Sequence, residues 1–83
     1  MKPFLLEILT PSKIVFSGKV TGLTARAKDG EIGIVADHAP LATVLSKGRI
    51  RYRTDSGEDG SIETNEGILI VKGNVATALL HIR

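Results

Sequence analysis

The sequence has no cysteine and no tryptophan, only three aromatic residues, and no unbroken apolar run longer than Ile68–Val71. Without cysteine there is no disulfide framework, no thiolate nucleophile and no cysteine-based zinc site. Small secreted domains commonly depend on such staples, so the sequence points to a reducing, intracellular setting. A membrane-spanning helix needs ~20 consecutive apolar residues, and Glu7 interrupts the N-terminal stretch before a signal-peptide core could form. Membrane association is therefore expected only through another protein. Charge of one sign is scarce as well: the formal net charge is +2. With Phe4, Phe16 and Tyr52 as the only aromatics, this argues against nucleic acid as a partner and against a base-stacking platform. What remains is 83 residues, 42% hydrophobic and 24% charged, which suits a single soluble domain over residues 1–83.

Nine glycines and three prolines punctuate the chain, and no window between them sustains a helical stripe. Alternation takes its place. Phe4, Leu6 and Ile8 share one face of a first strand. Ile14-Val15-Phe16 leads into Ser17-Gly18, a turn or bulge signal, after which Val20, Gly22 and Thr24 face one way and Thr21, Leu23 and Ala25 the other. Asp29-Gly30 is the pair favoured by a type I′ hairpin turn, and Ile32–Val35 returns as a short strand. Leu41–Leu45 follows an irregular stretch, and Arg49–Arg53 alternates with Ile50 and Tyr52 inward. Thr54–Gly60 is a polar hairpin tip carrying Asp55, Glu58 and Asp59, and Ser61–Thr64 is a modest strand. Gly67–Val71 reads as a buried strand, and Lys72-Gly73-Asn74 as a tight turn into a last strand, Val75 to Ile82. Eight to ten short strands at this spacing predict an all-β sandwich or flattened barrel.

Little in the chain looks catalytic. His38 and His81 are the side chains expected to titrate near neutrality. Asp37-His38 is the one tempting pair, yet no further ligand stands at metal-site spacing, and no serine is placed as a nucleophile except by guesswork. No glycine-rich loop opens a helix to hold phosphate. No cofactor, metal or catalytic residue is therefore expected. Arg49, Arg51 and Arg53 form a basic ladder, read either as a solvated face that discourages edge pairing or as a surface for an acidic partner. Gly33 inside a strand packs nothing and suggests a bulge or the close approach of another backbone.

The stretch Gly30-Glu31-Ile32-Gly33-Ile34-Val35-Ala36-Asp37-His38-Ala39-Pro40-Leu41 closely resembles the signature of the epsilon subunits of F-type ATP synthases, with Lys47-Gly48 following at the family's distance. Leu6 to Thr10, Phe16-Ser17-Gly18, Gly67-Ile68-Leu69 and Gly73-Asn74-Val75 extend the likeness over essentially the whole chain. Ala36 departs from it, standing where the family usually has proline. Typical members also continue into two C-terminal helices that inhibit ATP hydrolysis, and these 83 residues hold nothing that could form them.

The resemblance implies a flattened ten-stranded β-sandwich of short antiparallel strands, with no C-terminal helical domain. It implies a non-catalytic rotor subunit in the central stalk, partnered by the gamma subunit and the membrane c-ring. Such a subunit is a peripheral component on the cytoplasmic face of the energy-coupling membrane. By position, the turn carrying Asp29, Gly30, Glu31 and Gly33 would face the c-ring, with Glu31 pairing a basic residue there. Thr10, His38, Ala39 and Thr43 would form the docking region towards gamma and the ring. Two alternatives are a stand-alone small β-barrel that binds a ligand, which wants exposed aromatics, and a small hydrolase built on Asp37 and His38.

Overall fold

The computed structural model describes residues 1–81 of the chain. The N-terminal alternation becomes β1 (Phe4–Leu9), in which Phe4, Leu6 and Ile8 are buried and the residues between them are half-buried. Then follow β2 (Ile14–Ala27), β3 (Gly30–Ile34), β4 (Leu41–Leu45), β5 (Gly48–Thr54), β6 (Asp59–Thr64), β7 (Glu66–Lys72) and β8 (Val75–His81). Among the described residues there is no helix. Ile82, the expected end of the last strand, lies outside the described residues.

All eight strands join one sheet in the order β1-β8-β7-β4-β2-β5-β6, with β3 paired to β2 and β1 also paired to β2. The sheet curls on itself through β2. Its first half pairs with β1, and its second half with β3 and β5. This makes two layers, β3-β2-β5-β6 and β4-β7-β8-β1, around a core that includes Leu6, Ile8, Val20, Ile34, Leu45, Ile50 and Leu69. The all-β sandwich is as expected, but it has eight described strands rather than ten. The expected break at Ser17-Gly18 is the middle of one 14-residue strand. Gly18 there pairs with Leu6, and a Cβ on it would come within 3.2 Å of the Phe16 ring, so this glycine makes room for an aromatic and does not turn the chain.

Three further expectations change. The strands are not all antiparallel, because β1 pairs with β8 in parallel. Gly67–Val71 is not buried throughout: Leu69 and Val71 are, whereas Ile68 and Ile70 lie on the outer face. Gly33 marks no bulge, since β2 and β3 stay in register past it. The β2–β5 irregularity lies between Val20 and Gly22, and the slip lets both Val20 and Leu23 point inward.

The two tight hairpin turns also differ from each other. Ala27 pairs with Gly30 around Lys28-Asp29, and of these residues only Gly30 has positive φ (127°), so Asp29-Gly30 is not a type I′ pair. That geometry occurs instead at Gly73-Asn74, where both φ values are positive (59° and 61°) between the paired Lys72 and Val75.

Candidate functional site

Strand pairing aligns one row of side chains across five strands. Val44 lies opposite Ile68, Ile68 opposite Leu79, Leu79 opposite Leu9, and Leu9 opposite Ile14. All face away from the core. Val44 is 53% exposed, Ile68 47%, Leu79 48% and Ile14 65%. Ala42 and the 50%-exposed Ile70 widen the patch on the next row, where Thr77 and Glu7 continue it. Isolated surface apolar residues are ordinary, but a contiguous band in register is the mark of an interface.

Both ends of this band carry residues singled out in the sequence. Beside Val44 lies the β2–β3 turn, where the backbone N–H of Lys28 donates to the carbonyl of Val44 at 3.1 Å. Asp29, Gly30, Glu31 and Gly33 are all exposed there. Nothing in the chain requires glycine at position 33: its φ is not positive, and the nearest atom to an added Cβ is Thr24 Cγ2 at 3.9 Å. Beside Leu9 and Ile14 lies Thr10, which is buried. Its hydroxyl accepts from the backbone N–H of Lys13 at 3.2 Å, and its own N–H donates to the Lys13 carbonyl at 2.9 Å. Thr10 thus shapes the turn that brings Ile14 up to Leu9.

The remaining candidates sit elsewhere. Thr43 is half-buried on the inward side of β4, opposite the buried Leu69. His38 and Ala39 lie on the β3–β4 connection, beyond the Leu41 end of β4 and away from Val44. The eight residues therefore do not form one cluster. Sequence reasoning missed the apolar band itself. Its only trace was consecutive apolar residues in β7, and these read equally well as a doubly buried strand.

Asp37 and His38 do not act together. His38 Nδ1 lies 2.7 Å from the carbonyl oxygen of Ala39. The Asp37 carboxylate instead accepts from Asn74 Nδ2 at 3.0 Å and from Lys2 Nζ at 3.0 Å. Chiefly the Asn74 hydrogen bond, and then Lys2, hold this carboxyl below the usual carboxylate range. The stabilisation is present above the unfolded-state pKa of about 3.9 and is lost as pH falls through the lower folded value. A carbon-detected NMR titration should place the Asp37 midpoint below that of a free aspartate, and Asn74→Gly should raise it.

The opposite face, on β2, β5 and β6, is polar. Arg49 pairs with Glu63 at 3.3 Å and Arg53 with Asp59 at 2.9 Å, so two rungs of the arginine ladder are met by carboxylates from β6. Ion pairing within the sheet favours the reading of this ladder as a solvated strand face. The aromatics are used in packing: Phe4 is in the core, and the Phe16 and Tyr52 rings lie against each other with centroids 4.3 Å apart. None of the three is exposed, and an aromatic binding platform would need them to be.

Among the described residues the chain is a helix-free sandwich with one apolar outer face and one charged face. The chain belongs to the family of the ATP synthase Delta/Epsilon chain β-sandwich domain, whose model it matches over residues 3–81. It is 40% identical over 79 residues to the ATP synthase epsilon chain of Natranaerobius thermophilus, covering 94% of this chain and 56% of that one. It is 38% identical over 78 residues to the epsilon chain of Chlorobium limicola, covering 94% of this chain and 89% of that one. The chain thus spans little more than half the length of the first of these relatives and most of the second. Its fold is shared with a chain of the Euglena gracilis mitochondrial ATP synthase OSCP/F1/c-ring structure (TM-score 0.88, 19% identity, covering 94% of this chain and 50% of that one). It is also shared with a chain of the Tetrahymena thermophila ATP synthase central stalk and c-ring (TM-score 0.79, 21% identity, covering 94% and 63%).

Proposed function

We propose that this chain is a non-catalytic rotor subunit that docks the gamma subunit onto the c-ring of an F-type ATP synthase, so that ion-driven rotation reaches the catalytic sites. It works on the cytoplasmic side of the energy-coupling membrane and meets the membrane only through the complex. The observation that carries this reading is the apolar band from Val44 to Ile14, on a chain of the epsilon family. An interface core of aliphatic side chains gives holding strength, and the curled sheet beneath it gives stiffness, because densely packed interiors transmit strain.

Gamma occupies the band, and the exposed turn with Asp29, Gly30, Glu31 and Gly33 meets the c-ring loops beside it. Glu31 pairs a basic group there and fixes register more than strength. The open space above Gly33 admits a partner backbone.

The test is calorimetric titration of the chain with the gamma subunit. Ile68→Glu places a carboxylate in the middle of the band and should weaken binding by about 30-fold or more, since each buried aliphatic side chain contributes ~1.5–3 kcal/mol. The circular dichroism spectrum should not change. Glu31→Lys should leave gamma binding alone and lower the coupling of ion flow to ATP synthesis. Unaltered affinity in Ile68→Glu would remove the band from the interface.

A further inference from the structure

Asp37 and Asn74 are the only non-glycine residues with positive φ among the described residues (64° and 61°), and they touch each other across 37 positions of sequence. Left-handed backbone is uncommon outside glycine, and Asn and Asp tolerate it best. The contact is two-way. The backbone N–H of Asp37 donates to Asn74 Oδ1 at 2.6 Å, and Asn74 Nδ2 donates back to Asp37 Oδ1 at 3.0 Å. Lys2 Nζ closes on the same carboxylate, at 3.0 Å from Oδ1 and 3.3 Å from Oδ2. Asn74 is itself anchored at both levels: it is in the β7–β8 turn, and its carbonyl accepts the N–H of Leu5 at 3.0 Å.

The connection held in this way, residues 35–40, carries the chain from β3 in one layer to β4 in the other. Among the described hydrogen bonds, the contacts of Asp37 with Asn74 and Lys2 are the only ones joining it to the rest of the chain. The connection displays Ala39 and the half-buried His38.

We infer that Asn74 is a positioning residue for this corner: through Asp37 it holds residues 35–40, which run directly into the exposed Ala42 of the band, in the conformation in which His38 and Ala39 extend the surface that meets gamma. Asn is suited to the task because one amide both accepts and donates, so it can grip the backbone and the carboxylate of Asp37 together. The docking consequence rests on the rotor function proposed above, but the clasp can be tested without it.

Asn74→Gly is the informative variant, because glycine keeps the positive φ of the turn and deletes only the amide. In the full chain, hydrogen exchange followed by NMR should show the Asp37 amide exchanging about tenfold faster, the loss of roughly one hydrogen bond. Amides in the centres of β1 and β8 should keep their rates. The reciprocal swap, Asp37→Asn with Asn74→Asp, restores a donor opposite an acceptor and should return the Asp37-position amide close to its original rate. Asn74→Asp alone sets two carboxylates face to face and should not. In calorimetry with the gamma subunit, Asn74→Gly should weaken binding several-fold and the swap should recover it.

Unchanged exchange at residue 37 in Asn74→Gly, or a swap that fails to restore it while strand amides remain protected, would overturn the inference. Faster exchange with unchanged affinity would also overturn it, by taking the corner out of the interface. The rotor reading would survive that result, since it is judged by Ile68→Glu.

Discussion

Leu6→Ala should unfold a substantial fraction of the molecules at growth temperature, or come close to it. Leu6 has no solvent exposure and stands at the centre of β1, between Gly18 on β2 and Ala76 on β8. Neither flanking residue has a side chain able to lean into the space left behind, so the cavity should persist and the cost should sit high in the ~2–5 kcal/mol range for such truncations. A chain of 83 residues has roughly 4–12 kcal/mol of total stability at ~0.05–0.15 kcal/mol per residue. The substitution therefore removes a large share. Thermal denaturation should show a fall in Tm of at least about 10 °C. Leu6→Met, which conserves volume, should cost less than about 1.5 kcal/mol. Similar losses from both variants would mean that polarity or register, and not the cavity, sets the stability at this position.

Gly67→Ala should be nearly as damaging, for the opposite reason. Gly67 pairs with Leu45 on β4 and Leu80 on β8, and an added Cβ would collide with the Leu79 carbonyl oxygen and crowd the Leu80 Cα at 3.1 Å. These are backbone atoms held in a ladder, so they cannot rotate aside as a side-chain tip would. The strands must separate or shift, at a cost of about 1–3 kcal/mol or more. Gly33→Ala is the internal control: its Cβ would find only ordinary contacts and should leave Tm unchanged. If Gly33→Ala nevertheless weakens assembly with the c-ring, the open space at that turn is filled by the partner. Denaturation of the two variants side by side separates a glycine required by the fold from one that the fold leaves free.

The strands whose two faces meet different surroundings were the legible ones. β1 and β5 alternate because one side lies on the core and the other on solvent, and their inward residues were read correctly from period two alone. Where a strand departs from that situation, the pattern misleads. β7 has apolar residues on both sides because Ile68 and Ile70 of the exposed band lie on its outer face, and it looked like a strand buried twice. β2 looked like two strands because Gly18 makes room for Phe16, a contact within the strand that mimics a break.

The signature stretch from Gly30 to Leu41 located the exposed turn and the corner. The short strand read between them, Ile32–Val35, already set them at its two ends. The band from Val44 to Ile14 and the clasp between Asp37 and Asn74 were illegible. Both are products of register between strands far apart in sequence, and no local pattern encodes them.

The parallel pairing of β1 with β8 has a consequence for how the protein is made. Leu5 meets Val75 only when nearly all of the described chain has left the ribosome. Until then β1 has at most one neighbour, and an edge rich in leucine and isoleucine stays open for several seconds at ~5–20 residues per second. During that interval the open edge should be prone to aggregation and open to capture by holding chaperones. Variants that slow the arrival of β8 will first be noticed as poor yield from cells, before any change is seen in the melting of the protein that survives.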